Sequence, residues 1–111
     1  MTAPRFDAVV HAPLRLQLCA TLAPVEDAEF AALRETLGVS DSVLSKHLRV
    51  LEEAGYLALK KATVSGRVRT RAALTRAGRK AFEGHVAELR RLVAGPEPTA
   101  GAVPSPGAVP T

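Results

Sequence analysis

The sequence is poor in the residues that build disulfide-rich, metal-bound or aromatic-rich proteins. It has no Trp, one Tyr and one Cys among 111 residues. The lone cysteine, Cys19, cannot provide a disulfide framework, and no group of Cys and His has the spacing of a metal site. We therefore expect no cofactor and no metal, and the absence of a disulfide framework favours an intracellular protein.

Long apolar runs are also missing. No stretch approaches the roughly 20 apolar residues of a membrane span, and the N-terminus lacks the basic start and apolar run of a signal peptide. We expect a soluble, cytoplasmic protein without a membrane partner. Because apolar residues make up 47% of the chain but aromatic residues only 4%, the core should be aliphatic, which favours packed helices over a β-sandwich.

Catalytic signatures are absent as well. The sequence shows no nucleophile–base pair, no carboxylate pair and no glycine-rich loop that would hold a phosphate. A chain of this length forms one small domain with little room for a catalytic cleft. We therefore do not expect an enzyme.

Basic residues concentrate in the middle of the sequence. Residues 40–80 contain ten Lys and Arg against three acidic residues, a net charge of +7. The rest of the chain contains five basic and eight acidic residues, a net charge of −3. Random surface charge is usually better mixed, so this separation indicates a polyanion as the partner.

Three short helices are predicted before residue 55. Pro13 suits a first helical turn, and Pro24 ends the first pattern. Asp27 is predicted to cap the second helix, which stops at Gly38. The three apolar stripes are Leu14, Leu18 and Leu22; Phe30, Leu33 and Leu37; and Leu44, Leu48 and Leu51.

The third helix follows the second after only "GVS". Ser40 is a good N-cap for this helix, predicted over 41–54, and Gly55 terminates it. Two short helices joined by a tight glycine-containing turn are typical of a helix-turn-helix. In "SVLSKHLRVLEEAGYL", residues 42–57, polar and basic residues alternate with the leucine stripe, so one side of this helix is available to a partner.

After Gly55 the apolar period changes from about 3.6 residues to about 2 residues. "YLALKKAT" and "RVRTRAAL" are predicted strands separated by "VSG", in which Gly66 can adopt a positive φ. Thr75 is predicted to cap a final helix. The order helix, helix, helix, hairpin, helix predicts a winged helix-turn-helix, a mainly α fold with a β-hairpin wing.

Over residues 6–93 the sequence resembles the MarR/ArsR-like winged-helix transcriptional regulators, and in particular a small single-domain group among them. "FAALRETLGVSDSVLSKHLRVLEEAGYL" is similar to their helix-turn-helix, and "SGRVRTRAALTRAGRKAF" to their wing and the start of the last helix. "FDAVVHAPLRLQLCATL" is similar to the first helix. "EFAALRETL" stands where metal-sensing ArsR-type members carry a cysteine motif, and the long extra helices of full-size MarR proteins are missing. The resemblance thus implies neither a thiolate metal site nor a MarR-type ligand pocket, and the sequence identifies no small-molecule effector.

The polar side of the third helix and the basic wing are the predicted DNA contacts. Short hydroxyls allow close approach to phosphates and base edges, while Lys and Arg neutralise phosphate or reach guanine in the major groove. The resemblance places a histidine near DNA at His47. The alternatives are a merely solvated helix face and strand charges that only prevent edge pairing. The predicted contacts are Ser40, Ser42, Val43, Ser45, Lys46, His47 and Arg49 in the helix 41–54, and Lys60, Lys61, Arg67, Arg69 and Arg71 in the wing 57–74.

The last helix is longer than a helix-turn-helix needs, and it carries an apolar stripe of its own. We expect this stripe and the N-terminal segment to form a dimer surface, with packing inside one protomer as the alternative. The predicted interface residues are Phe6, Val9, Val10, Phe82, Val86, Leu89 and Val93. Residues 1–94 would then form the DNA-binding and dimerisation domain, and the Pro/Gly/Ala-rich residues 95–111 a disordered tail.

The sequence therefore predicts a sequence-specific regulator that binds double-stranded DNA, expected to be a homodimeric repressor on a palindromic operator. Two other functions stay open. One is an architectural protein that binds DNA with little sequence preference. The other is a winged helix used for protein–protein contact.

Overall fold

A computed structural model describes residues 2–95 of the chain. Five helices and three strands lie within these residues: α1 (Ala8–His11), α2 (Pro13–Leu22), β1 (Ala28–Glu29), α3 (Phe30–Leu37), α4 (Asp41–Glu53), β2 (Leu57–Val64), β3 (Arg67–Leu74) and α5 (Arg76–Ala94). No helix in this part of the chain has the length and hydropathy needed to cross a membrane. Apart from Gly95, the predicted tail 95–111 lies outside the described residues.

Several helix ends follow from single residues. The Ser40 hydroxyl accepts a hydrogen bond from the Val43 N–H at 3.2 Å, and the Thr75 hydroxyl accepts one from the Gly78 N–H at 3.0 Å. These bonds satisfy backbone donors that have no partner inside α4 and α5. Gly38 ends α3 with φ at +66°, a conformation that other residues rarely adopt.

The predicted cap of the second helix is wrong. This helix, α3, begins at Phe30, and Glu29 occupies its N-cap position without a side-chain hydrogen bond to the helix. Asp27 instead binds the Arg71 guanidinium, with 2.7 Å between its Oδ1 and Nη2 of Arg71. The carboxylate is therefore used in a tertiary ion pair and not at a helix end.

Two short elements complete the fold. The helix α1 is capped by the Asp7 carboxylate, whose Oδ1 accepts from the Val9 and Val10 N–H groups. The strand β1 adds to the hairpin as an antiparallel edge strand, in the order β1-β3-β2, with Ala28 opposite Ala72 and Glu29 opposite Arg71. The sheet thus extends beyond the predicted hairpin.

The core is aliphatic, as the composition predicts. Leucines from α2, α3, α4, β2 and β3 meet in it, and each fully buried leucine contributes about 1.5–3 kcal/mol through removal of its surface from water. The buried apolar residues are Val10, Leu18, Cys19, Leu22, Leu33, Leu44, Leu48, Leu51, Leu57, Ala72 and Leu74. The buried face of α4 is therefore fixed against the rest of the domain.

The first turn of α5 lies directly against the chain that leaves α4. The Thr75 N–H donates to the Tyr56 carbonyl at 3.0 Å. An added Cβ at Gly78 would overlap the same carbonyl group, so this close approach requires glycine. This contact sets the direction in which α5 leaves the domain.

Candidate nucleic-acid interface

The helix α4 has one buried face and one exposed face. Leu44, Leu48 and Leu51 are buried in the core. The predicted contacts on the opposite side, Ser42, Val43, Ser45, Lys46 and Arg49, are all exposed. The exposed face combines short hydroxyl side chains with two cations, so the helix can approach a phosphate backbone closely.

The start of α4 is held by polar contacts as well as by its cap. The Ser40 and Ser42 hydroxyl oxygens lie 3.3 Å apart, and Nη1 of Arg34 lies 2.8 Å from Oδ1 of Asp41. The second contact ties α3 to the first turn of α4 and neutralises the acidic group at that end. An ion pair between two helices leaves no periodic signal, so this role of Arg34 is not predictable from the sequence.

The strands β2 and β3 form an antiparallel, highly charged hairpin. Ser65 and Gly66 connect them with φ at +51° and +78°, as expected of a tight two-residue turn. In the register Lys60 lies opposite Arg71, whereas Lys61 lies opposite Thr70. Residues opposite each other share a face, so Lys60 lies with the arginines and Lys61 lies on the other face.

The three arginines of β3 share one face but have different partners. Arg71 contacts both Asp27 and Glu29, with its Nη1 3.1 Å from Oε1 of Glu29. Arg69 makes one contact, 3.2 Å from its Nη1 to Oε2 of Glu29. Arg67 is exposed, and its guanidinium has no hydrogen bond or ion pair within residues 2–95. The hydrogen bond from Arg71 lowers the pKa of Asp27 and raises that of Arg71 itself.

Comparison with known proteins identifies this combination of α3, α4 and the hairpin. The model of a winged helix DNA-binding domain family matches residues 14–93. The chain belongs to this family. The protein is accordingly a winged-helix regulator of transcription with α4 as the second helix of its helix-turn-helix and β2–β3 as its wing, and double-stranded DNA is its class of partner.

Individual relatives agree with this assignment. The chain is 36% identical over 84 residues to an uncharacterized protein of Methanocaldococcus jannaschii, a match that covers 76% of this chain and 91% of the relative. A transcriptional regulator homologue from Pyrococcus horikoshii OT3 is 25% identical, with a TM-score of 0.74 over 79% of this chain and 87% of that one. A protein described as a MarR-family regulator from Enterococcus faecalis V583 has the same fold, with a TM-score of 0.65, 20% identity and coverage of 78% and 77%. The predicted winged helix is thus confirmed, its fold is that of a MarR-family protein, and winged-helix regulators are in general not enzymes.

His47 lies on α4, and its side chain contacts α2. It is partly buried, and its Nδ1 lies 3.2 Å from Nη1 of Arg15. Since a guanidinium only donates, Nδ1 of His47 must accept and is unprotonated. Burial lowers the pKa of His47, and the charges of Arg15 and Lys46 lower it further. A phosphate contact by His47 stays a prediction.

The predicted dimer residues of the winged helix fall into different environments. For Val10 the expectation is wrong, because this side chain is 0% exposed and belongs to the protomer core. Val9 and Phe82 are partly buried against the same core. Phe6 and Val93 are exposed, Val93 to 85%, while Val86 and Leu89 are partly exposed. Leu92, which the sequence analysis omitted, is 52% exposed near the end of α5.

Proposed function

We propose that this winged-helix protein recognises a specific DNA sequence, with α4 in the major groove and the wing on the backbone or minor groove. The observation that carries the proposal is the exposed α4 face with Ser42, Ser45, Lys46 and Arg49, held in place by the buried leucines behind it. Hydroxyl and guanidinium groups on such a face can read base edges, which a merely basic surface cannot do.

The wing supplies the sequence-independent part of the affinity in this proposal. Arg67 and Lys61 are exposed on the hairpin, and each phosphate neutralised steepens the salt dependence of binding. The sequence also predicts Lys60, Arg69 and Arg71 as wing contacts, and the two arginines already bind acidic side chains. The helix contacts are proposed to be Ser40, Ser42, Val43, Ser45, Lys46, His47 and Arg49.

We further propose that two copies of the protein pair through α5 and bind a palindromic operator as a homodimer. Val86, Leu89, Leu92 and Val93 leave apolar surface uncovered on the second half of α5, and Phe6 adds an exposed ring from the N-terminal segment. A two-fold dimer places two recognition helices about one turn of DNA apart. A dimer bound over a promoter excludes the transcription machinery, so repression is the proposed outcome.

Genome-fragment selection with the purified protein tests the function. Fragments are selected at two salt concentrations, and the bound site is then assayed with Arg49→Ala, Ser45→Ala and the control Arg90→Ala, which removes an exposed charge from α5. The proposal predicts that the α4 variants change the order of preference among sites, whereas the control keeps it. Equal binding of all duplexes would favour an architectural protein. Absence of any duplex binding would favour a protein–protein module.

Sedimentation of Leu89→Glu tests the dimer. The proposal predicts monomers for this variant and dimers for Ala94→Glu, which places the same charge on a different side of α5. Dimers in both variants would remove α5 from the interface.

A further inference from the structure

Two acidic residues, Glu29 of β1 and Asp27 just before this strand, face the arginines of the wing. The β1–β3 register places Glu29 directly opposite Arg71, and alternation along the strand puts Arg69 on the same face, one step nearer the turn. Asp27 lies on the other side of Arg71, where its Oδ1 accepts hydrogen bonds from Nε at 3.0 Å and Nη2 at 2.7 Å. The wing arginines therefore share their surface with two carboxylates.

The number of hydrogen bonds that each wing arginine donates to acidic side chains falls towards the tip of the wing. All three guanidinium nitrogens of Arg71 donate, two to Asp27 and one to Glu29. One nitrogen of Arg69 donates, to the second oxygen of Glu29. The guanidinium of Arg67, next to the turn, donates to no group in the part of the chain that the structure describes. Glu29 thus bridges two arginines, and the number of bound guanidinium nitrogens falls from three to one to none towards the wing tip.

We propose that Asp27 and Glu29 form a charge clamp that limits how many wing arginines a polyanion can bind. Arg67 is available at all times, Arg69 exchanges between Glu29 and a phosphate, and Arg71 stays in the clamp. The inference rests on the proposed function, because it assigns the wing arginines different roles in the same interface.

The number of contacts supports this division, whereas solvent exposure does not distinguish the pairs, since the side chains of Arg71 and Asp27 are also 40% and 39% exposed. The side chains of Arg69 and Glu29 are 45% and 34% exposed, and they share one hydrogen bond. Exposed pairs of this kind are weak and are screened by salt, so a phosphate competes for Arg69. Arg71 donates three hydrogen bonds to two carboxylates, whereas Arg69 donates one, so the transfer of Arg71 to a phosphate would break three contacts.

The clamp has a consequence for specificity. Binding to random DNA rests almost entirely on phosphate contacts, whereas binding to a specific site also uses base contacts. The carboxylates keep Arg69 from phosphate and repel phosphate themselves, so they lower the affinity for random DNA and for a specific site. Random DNA loses the larger share of its affinity, because phosphate contacts supply almost all of it. The clamp therefore raises the ratio of specific to nonspecific binding.

Glu29→Gln tests the clamp, with Glu26→Gln as its matched control. Both variants remove one negative charge, but the exposed Glu26 has no ion pair within residues 2–95. For a random-sequence duplex, the clamp predicts that Glu29→Gln steepens the log–log dependence of affinity on salt by about one phosphate contact, and that Glu26→Gln leaves this slope at the wild-type value. Equal slopes for Glu29→Gln and the wild type overturn the proposal.

Arg69→Ala in two backgrounds separates the clamp from a structural effect of Glu29. If Glu29 keeps Arg69 away from phosphate, Arg69→Ala makes the salt dependence of affinity less steep in both backgrounds. The change is smaller in the wild type than in Glu29→Gln, where Arg69 is free to bind phosphate. Equal losses overturn the clamp. Thermal unfolding of each variant checks that the β1–β3 pairing survives the substitution.

A heparin column makes the test independent of duplex recognition. The clamp predicts that Glu29→Gln elutes at higher salt than Glu26→Gln, because Arg69 is released from residue 29 and can bind the sulfate groups of heparin. If wild-type protein binds no duplex, the proposed function fails while the column still tests the clamp. Identical elution of the two variants overturns the clamp even if duplex binding is intact.

Discussion

The backbone N–H of Asp7 donates to Nδ1 of the fully buried His85 at 2.9 Å. With Nδ1 accepting, the imidazole proton lies on Nε2 and donates to Nδ1 of His11 at 3.1 Å. The Asp7 carboxylate caps α1 and also accepts from the Tyr56 hydroxyl at 2.5 Å. Asp7 therefore joins the N-terminal helix, the long helix α5 and the segment that follows the recognition helix.

The buried imidazole predicts a stability that depends on pH. Burial lowers the pKa of His85 below 6.5, and the neighbouring His11 lowers it further. As the pH falls through 6.5, His85 takes up a proton in the unfolded chain but not in the folded protein. The free energy of unfolding therefore decreases, and this decrease ends once the pH has passed below the pKa of His85 in the folded protein. Urea unfolding across this range checks the decrease. His85→Gln keeps an acceptor for the Asp7 N–H and should show a smaller decrease, the remainder coming from groups such as His47. An unchanged decrease would contradict the role of His85.

The contact between Tyr56 and Asp7 predicts a shifted tyrosine titration. The hydrogen bond to Asp7 raises the pKa of Tyr56 above 10.0, and burial adds to the shift. Since the chain has one tyrosine, its absorbance titration reports this residue alone. We expect Asp7→Asn to lower the tyrosine pKa and Glu53→Gln, which changes an exposed charge elsewhere, to leave it in place. A titration unaffected by Asp7→Asn would show that the hydrogen bond is not formed.

The single cysteine predicts slow thiol chemistry. Burial raises the pKa of Cys19 to about 11, with a further contribution from the charge of Asp7. The thiolate is the reactive form, so Cys19 should react with a disulfide reagent at neutral pH much more slowly than a cysteine introduced by Ala20→Cys at the neighbouring exposed position. Addition of urea should bring the two rates together. Fast labelling of the native wild type would show that α2 is less well packed than the structure indicates.

The sequence predicts the main elements because each has a local cause. Caps at Ser40 and Thr75, the glycine at position 38 and the change of apolar period after Gly55 all act within a few residues. Ranges 41–54 and 57–74 were therefore placed to within about a residue or two at each end.

The tertiary contacts had no comparable signal. A two-residue strand such as β1 has no period of its own, and it exists because β3 offers it a partner. Asp27 is a suitable residue for a helix cap and for an ion pair, and only the position of Arg71 decides between them. Val10 was assigned to a dimer surface because an apolar side chain near the N-terminus has the same pattern whether it meets a partner or the protomer core.

The roles within the proposed interface depend on the same kind of contact. Arg67, Arg69 and Arg71 are equivalent in a strand pattern, yet the structure gives them different numbers of acidic partners. His47 lies within α4 among the predicted DNA contacts, but its side chain contacts Arg15 of α2. The spacing of residues along the chain predicts which side chains share a charged face of β3 or α4. Only the folded structure shows which of these side chains already have partners within the protein.

The most direct test of the account is the affinity for a selected genomic duplex and for a shuffled duplex of the same composition, measured from about 50 mM to about 200 mM salt. A sequence-specific regulator should prefer the selected duplex by roughly 10³-fold or more, and both affinities should fall steeply as salt rises. Equal affinity for the two duplexes, or affinity that does not change with salt, would contradict recognition of DNA by α4 and the wing.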